Sequence, residues 1–118
     1  MIEGEPVDCL FCRIVSGKVP ADLIAEGDRW IAFRDINPQA PTHVLIVPRE
    51  HVESLSSLDE SRAGLGGELL RAAAAVARMD GLEDGYRVVA NTGADGGQSV
   101  PHLHLHVLGG RPMRWPPG

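Results

Sequence analysis

Apolar and polar positions follow three different rhythms along this chain, and each rhythm predicts an element. Near the start, Leu10, Phe11, Ile14 and Val15 recur at helical spacing behind Asp8, a capping residue type, and ahead of Gly17, which can end a helix. A short amphipathic N-terminal helix is predicted there. Beyond Pro20 come three β-type runs, 23–25, 30–33 and 44–47, separated by Gly27-Asp28 and by the stretch from Asn37 through Pro41. The first two predict a hairpin turning at Glu26-Gly27-Asp28. Val44 to Val47 shows no polar alternation, so both faces need cover and the segment reads as a central strand.

From Ser57 the period changes to 3.6, with Leu58, Leu65, Leu69, Ala72, Val76 and Met79 near one stripe and Glu60, Glu68, Arg71 and Arg78 off it. One long helix over 59–79 is predicted. Its glycines, Gly64, Gly66 and Gly67, each cost about 1 kcal/mol relative to alanine, which predicts a close neighbour at that turn. Two further strands, 86–91 and 103–108, flank the Gly-rich turn from Thr92 to Gly97. Five strands and two helices in this irregular order predict an α+β fold with a mainly antiparallel sheet.

Length and composition narrow the class. The 118 residues suit one domain, 1–118, and 43 % apolar with 23 % charged residues excludes disordered, collagen-like and coiled-coil chains. The longest apolar run, 72–77, is far short of the roughly 20 residues that span a bilayer, and the N-terminal stretch carries acids where a leader carries bases. A cytoplasmic protein without a membrane partner is expected. Eleven basic against sixteen acidic residues give a net charge of -5, and no basic cluster points to long nucleic acid. The two cysteines, Cys9 and Cys12, cannot staple a secreted scaffold; metal ligands, a redox pair and plain packing stay open.

The chemistry concentrates in His102-Leu103-His104-Leu105-His106-Val107. On a strand alternate side chains share a face, so the three imidazoles line one side about 7 Å apart while Leu103, Leu105 and Val107 enter the core. Such a row serves either as metal ligands or as a nucleophile with acid–base partners near neutral pH. After Asp95 the chain holds no carboxylate side chain to complete a catalytic metal set. Just ahead lie Gly96-Gly97-Gln98-Ser99, where small residues let backbone N–H groups approach an anion and Ser99 adds a hydroxyl. An anion beside imidazoles points to phosphate.

The segment from Gly97 to Val107 resembles the histidine triad signature. The block from Phe33 through Asp35, Asn37-Pro38-Gln39 and Pro41-Thr42-His43, and the tail Arg114-Trp115-Pro116-Pro117-Gly118, are similar to the nucleotide-binding branch of that family. The resemblance implies the histidine triad fold, with protomers dimerising into one shared sheet, and hydrolysis of purine nucleoside phosphoramidates or acyl-nucleotides at the α-phosphate. It makes His104 the nucleophile of a nucleotidyl-histidine intermediate, with His106, Ser99 and the backbone near Gly97, Gln98 and Val100 around the phosphate and Asn91 close by. His43 is the candidate for assisting leaving-group protonation. The family pattern puts Asp35 on the ribose and Ile36, Phe33, Ile14, Phe11 and Leu10 around the base, with Trp115 as a clamp across the dimer. Cleavage of dinucleoside polyphosphates and non-catalytic nucleotide binding are the alternatives.

The resemblance also bears on the thiols. Cys9, Cys12, His51 and His102 would complete a structural Cys2His2 zinc site, similar to that of some bacterial members, leaving His104 and His106 free. Pro101 departs from the pattern, where an aromatic often stands. It marks the strand entrance and bears on leaving-group contacts.

Overall fold

The computed structural model describes residues 9–118; the predicted cap at Asp8 lies outside them. Helix α1, Leu10–Val15, is capped instead by Cys9, whose Sγ accepts the Cys12 N–H at 3.3 Å, and ends where Gly17 adopts φ 80°. Strands β1 (Leu23–Glu26) and β2 (Trp30–Arg34) form the predicted hairpin, followed by β3 (Thr42–Pro48), helix α2 (Ala63–Met79), β4 (Tyr86–Val89) and β5 (Leu105–Gly109). The sheet runs β1-β2-β3-β5-β4 with every pairing antiparallel. The long central strand is β3, buried at every position, as its unbroken apolar run requires.

Alternation along the strands feeds two different layers. Ala32, Val44, Ile46, Leu105 and Val107 face α2, which meets them with Leu65, Leu69, Ala72, Ala73, Val76 and Ala77 at helical spacing. On the opposite face Ile31, Phe33, Leu45 and Val47 pack against Cys9, Phe11 and Cys12 of the α1 segment. The register of β5 turns His106 away from the Leu105 and Val107 face, and His104, just ahead of the strand, packs against Phe11 of α1. A bidentate pair, Arg34 to Asp80 at 2.9 Å for both bonds, and Thr42 Oγ1 donating to Asp80 at 2.9 Å tie the end of α2 to β2 and β3. The Arg34 hydrogen bond holds the Asp80 carboxyl below the usual carboxylate range.

Four expectations change in detail. The first turn of the long helix tightens into a 3-10 turn at Glu60–Arg62, because position 62 departs from helical backbone angles and no side chain caps the helix there. Met79, in the last turn at the flank of the stripe, is 60 % exposed rather than core. The final strand starts two residues later than predicted, since Leu103 N–H turns to the Val52 carbonyl at 2.6 Å instead of joining the ladder. Finally β4 stops at Val89, with Thr92 Oγ1 turning back to the Ala90 carbonyl.

The helix glycines do not answer a close neighbour. A Cβ at Gly64 or Gly66 would meet side-chain atoms at ordinary contact distances of 3.8 and 3.6 Å, and one at Gly67 would meet nothing within 4 Å. Their cost is therefore unrelieved. Gly67→Ala is expected to stabilise the fold by about 0.5–1 kcal/mol, measured as a higher urea midpoint with an unchanged slope.

Candidate functional site

The imidazoles are best read through their protons, because each ring is anchored at one nitrogen and so has the other assigned. His104 Nδ1 lies 2.7 Å from the His102 carbonyl. A carbonyl only accepts, so this nitrogen carries the proton and Nε2 keeps a lone pair in the neutral ring. Gln39 N–H donates to His43 Nδ1 at 3.0 Å, which puts the His43 proton on Nε2. That Nε2–H faces His106 Nδ1 at 2.9 Å, with Asp35 Oδ2 at 3.4 Å. His106 accepts there, so its own proton sits on Nε2, the one buried side-chain polar atom among the described residues without a hydrogen-bond partner.

Burial keeps these rings neutral. It is the main cause that pushes His106 down to about 4, reinforced by His104 and His43 nearby, and it lowers His104 and His43 as well, against the pull of Asp35. Ring centroids of His104 and His106 stand 4.9 Å apart, closer than strand spacing alone, because the rings lean together. The site thus offers a lone pair on one imidazole and a donor on its neighbour.

Both rings open into a cavity of about 390 Å³ lined by apolar and polar groups on opposite sides. Leu10, Phe11, Ile14 and Phe33 give it an apolar wall, and Asp35, Ile36, Ser99, Val100, His104 and His106 also line it. Phe11 packs edge-on against Phe33 at 5.6 Å and against His104 at 5.0 Å, fixing the wall to the His104 ring. Asp35 Oδ1 accepts Asn37 N–H at 2.8 Å, leaving Oδ2 near His43. Ile36 is fully exposed.

Not every predicted residue reaches this cavity. Gln98 braces its loop instead: its Nε2 donates to the Glu53 and Val100 carbonyls and its Oε1 accepts Gly93 N–H. Together with Ser99 it lines a second, polar groove of about 490 Å³ that also holds Ser54, Ser56 and Thr92. Asn91 and Gly97 line neither space, and Trp115 is 82 % exposed. Sequence reasoning missed Val19, Pro20, Ala21, Arg34 and Leu45, all on the cavity wall. It also missed Gln39, whose contribution is a backbone N–H and so leaves no side-chain signal.

His102, the first of the row, faces elsewhere. Its ring is fully buried, with Nε2–H donated to the Pro48 carbonyl at 2.9 Å and Nδ1 at 3.3 Å from Cys9 Sγ and 3.5 Å from Cys12 Sγ. His51 Nδ1 completes the group at 3.3 Å from Cys12 Sγ and 3.2 Å from His102 Nδ1. A tetrahedral zinc with bonds of about 2.0–2.3 Å spaces its ligand atoms about 3.3–3.8 Å apart, so these four donors fit one. The Pro48 bond supports the fit, because it turns the free lone pair of His102 towards the thiols. Desolvation pushes His102 down to about 4, the neutral form a ligand needs. A second group, Asp35, His43 and His106, is equally close-set. It is less suited to an ion, since Gln39 keeps the His43 proton on the nitrogen that would have to bind.

Comparison with known proteins agrees with this arrangement. Residues 16–113 match the model of the HIT domain family. A 14 kDa zinc-binding protein of Zea mays is 49 % identical over 111 residues, covering 92 % of this chain and 87 % of its own. A HIT family hydrolase from Legionella pneumophila superposes with a TM-score of 0.92 at 47 % identity, covering 94 % of this chain and all of its own. The histidine triad nucleotide-binding protein from Candida albicans superposes at 0.78 with 28 % identity, covering 92 % and 83 %. With the histidine row lying inside the matched span, this chain belongs to the HIT family and carries its hydrolase and nucleotide-binding fold.

Proposed function

We propose that the protein hydrolyses purine nucleoside phosphoramidates or acyl-nucleotides, releasing the nucleoside monophosphate through a nucleotidyl-His104 intermediate. The observation that carries this reading is the pair of fixed protons: His104 Nδ1–H on the His102 carbonyl, and His106 Nε2–H without a partner. The apolar wall of Leu10, Phe11, Ile14 and Phe33 takes the base, and Asp35 takes the ribose hydroxyls. His104 Nε2 then attacks phosphorus, forming the N–P bond as the bond to the amine or acyl group breaks. His106 Nε2–H and the Ser99 hydroxyl stabilise charge on the phosphoryl and leaving atoms. An amine departs with a proton drawn from solvent, while His106 Nε2–H, backed by His43, hydrogen-bonds the leaving group. Water next adds to phosphorus, loses a proton to solvent and releases His104 as the neutral ring.

Cys9, Cys12, His51 and His102 would hold a structural zinc ion, which cross-links α1, the end of β3 and the approach to β5. The likeness to the maize 14 kDa zinc-binding protein supports this reading. The protein is further proposed to be a homodimer in the cytoplasm. Strand β4 ends the sheet with Tyr86 and Val88 exposed, an edge that a second copy would cover, and the cysteines face imidazoles rather than a disulfide partner. Among the described residues no helix is long and apolar enough to cross a membrane.

His104→Ala is expected to lower release of AMP from an adenosine phosphoramidate by about 10³-fold or more, while AMP binding measured by calorimetry persists. Intact mass during turnover should show the adduct in the parent protein and not in the variant. Turnover surviving the substitution refutes the mechanism. Chelation under reducing conditions should release about one zinc per chain and lower the melting temperature. A melting temperature indifferent to the chelator argues against a structural ion.

His106 makes stability depend on pH. Its folded value of about 4 lies below the ordinary 6.5, so its contribution is full above 6.5 and is lost as pH falls towards 4, where the unfolded chain binds the extra proton. His106→Gln should flatten the decline in melting temperature across that window; an equally steep decline in the variant means that other groups govern it.

A further inference from the structure

His102 belongs to two assemblies at once. Its ring stands in the thiol–imidazole cluster, while its main-chain carbonyl receives the His104 proton at 2.7 Å. The sheet does not place that carbonyl, since β5 pairs with β3 only from Leu105 onwards. Segment 102–104 is held instead by two main-chain bonds, His102 N–H to Val100 and Leu103 N–H to Val52, and by the His102 ring at Pro48 and the thiols. Phe11, between the two cysteines in the chain, packs edge-on against His102 at 5.9 Å and His104 at 5.0 Å, so the same helix turn bears on both rings.

The cluster is set to hold a cation. His102 Nδ1 carries a lone pair, because Nε2 holds the proton of the neutral ring, and it points at two sulfur atoms and His51 Nδ1 within 3.5 Å. Thiol S–H groups can bridge these atoms by hydrogen bonds, and a cation bound among them takes the place of those protons. We propose that the Cys9–Cys12–His51–His102 cluster, with zinc bound, positions the nucleophile: it holds the His102 carbonyl where His104 must keep its proton on Nδ1 and present Nε2. Without that acceptor the ring can carry its proton on Nε2, the form unable to attack phosphorus. Cys9, Cys12 and His51 then act on the reaction through His102 and touch no substrate. The inference rests on His104 being the nucleophile, as proposed above.

The test reads the proton directly. The full-length chain, labelled with nitrogen-15, is stripped of metal under reducing conditions and titrated with Zn²⁺ alone at pH 8. Two-bond hydrogen–nitrogen spectra report which nitrogen of His104 is protonated. The expected result is a mixture of tautomers in the stripped protein that becomes Nδ1–H only as zinc fills the cluster, with kcat rising about tenfold and KM changing less. His51→Asn lies outside the nucleotide cavity and should need at least tenfold more Zn²⁺ to reach the same spectrum, while His51→Cys, which restores a ligand, should recover the original demand.

A His104 tautomer indifferent to zinc, while the His51 and His102 signals move, overturns the proposal. So does a His51→Asn protein that binds zinc more weakly yet keeps pure Nδ1–H at partial occupancy. If the stripped chain unfolds, the two His51 variants at limiting zinc carry the comparison. Zinc-dependent tautomer control in a protein that turns over no phosphoramidate sustains this inference and sinks the proposed activity.

Discussion

The bond from His104 Nδ1–H to the His102 carbonyl settles what the middle imidazole can do, and much of the fold serves to make that bond short and dry. An imidazole in water shares its proton between two nitrogens and takes up a second one near pH 6.5. Here the layer of Phe11, Phe33 and Leu45 excludes water on one side, and β5 pairs with β3 on the other. Desolvation removes the cationic form and the carbonyl removes the wrong tautomer. What remains is a neutral base with one lone pair, facing a cavity of the size a nucleotide needs.

The two layers of the sheet divide the work. The α2 side is a conventional apolar core, Leu65, Leu69 and Val76 against Val44, Ile46 and Val107, and it holds no member of the histidine cluster. The α1 side is thinner and mixes aromatic rings with thiols and imidazoles. A helix of six residues has little stability of its own. It stays in place because Cys9 and Cys12 face His51 and His102, and because Phe11 is buried between the rings. Pocket wall and cluster are thus one structural unit.

Most of this was readable from residue patterns, and the exceptions share a cause. Periodicity placed every strand and both helices, since Val44 to Val47 and the stripe from Leu65 to Val76 bury the faces their spacing predicts. Alternation with Leu105 put His104 and His106 at one cavity as the row predicts, whereas His102, ahead of the strand, turns to the thiols instead of sharing their face. The misreadings arose where main-chain bonds, not side chains, set the conformation: the late start of β5 at Leu105, the 3-10 turn before α2, and the Gln39 N–H on His43. Ten of the residues assigned to the nucleotide do line one cavity, and Gln98 does not because its amide is spent on three main-chain groups. The glycines of α2 misled for a different reason: propensity alone cannot distinguish a glycine that is required from one that is merely tolerated.

Three of the partners that set the four buried protons have one property in common. Pro48 and His102 contribute carbonyls and Gln39 contributes an amide N–H, so three of the four anchors are main-chain atoms that every residue, or every residue but proline, possesses. Sequence drift at those positions can change bulk and polarity without erasing the anchor itself. Proline at position 39 is the exception, since it alone lacks the amide hydrogen. The protonation pattern of this molecule is therefore inherited largely from its chain path, and it is buffered against most single changes at positions 39 and 48, though not at 102, whose ring also holds its own carbonyl in place.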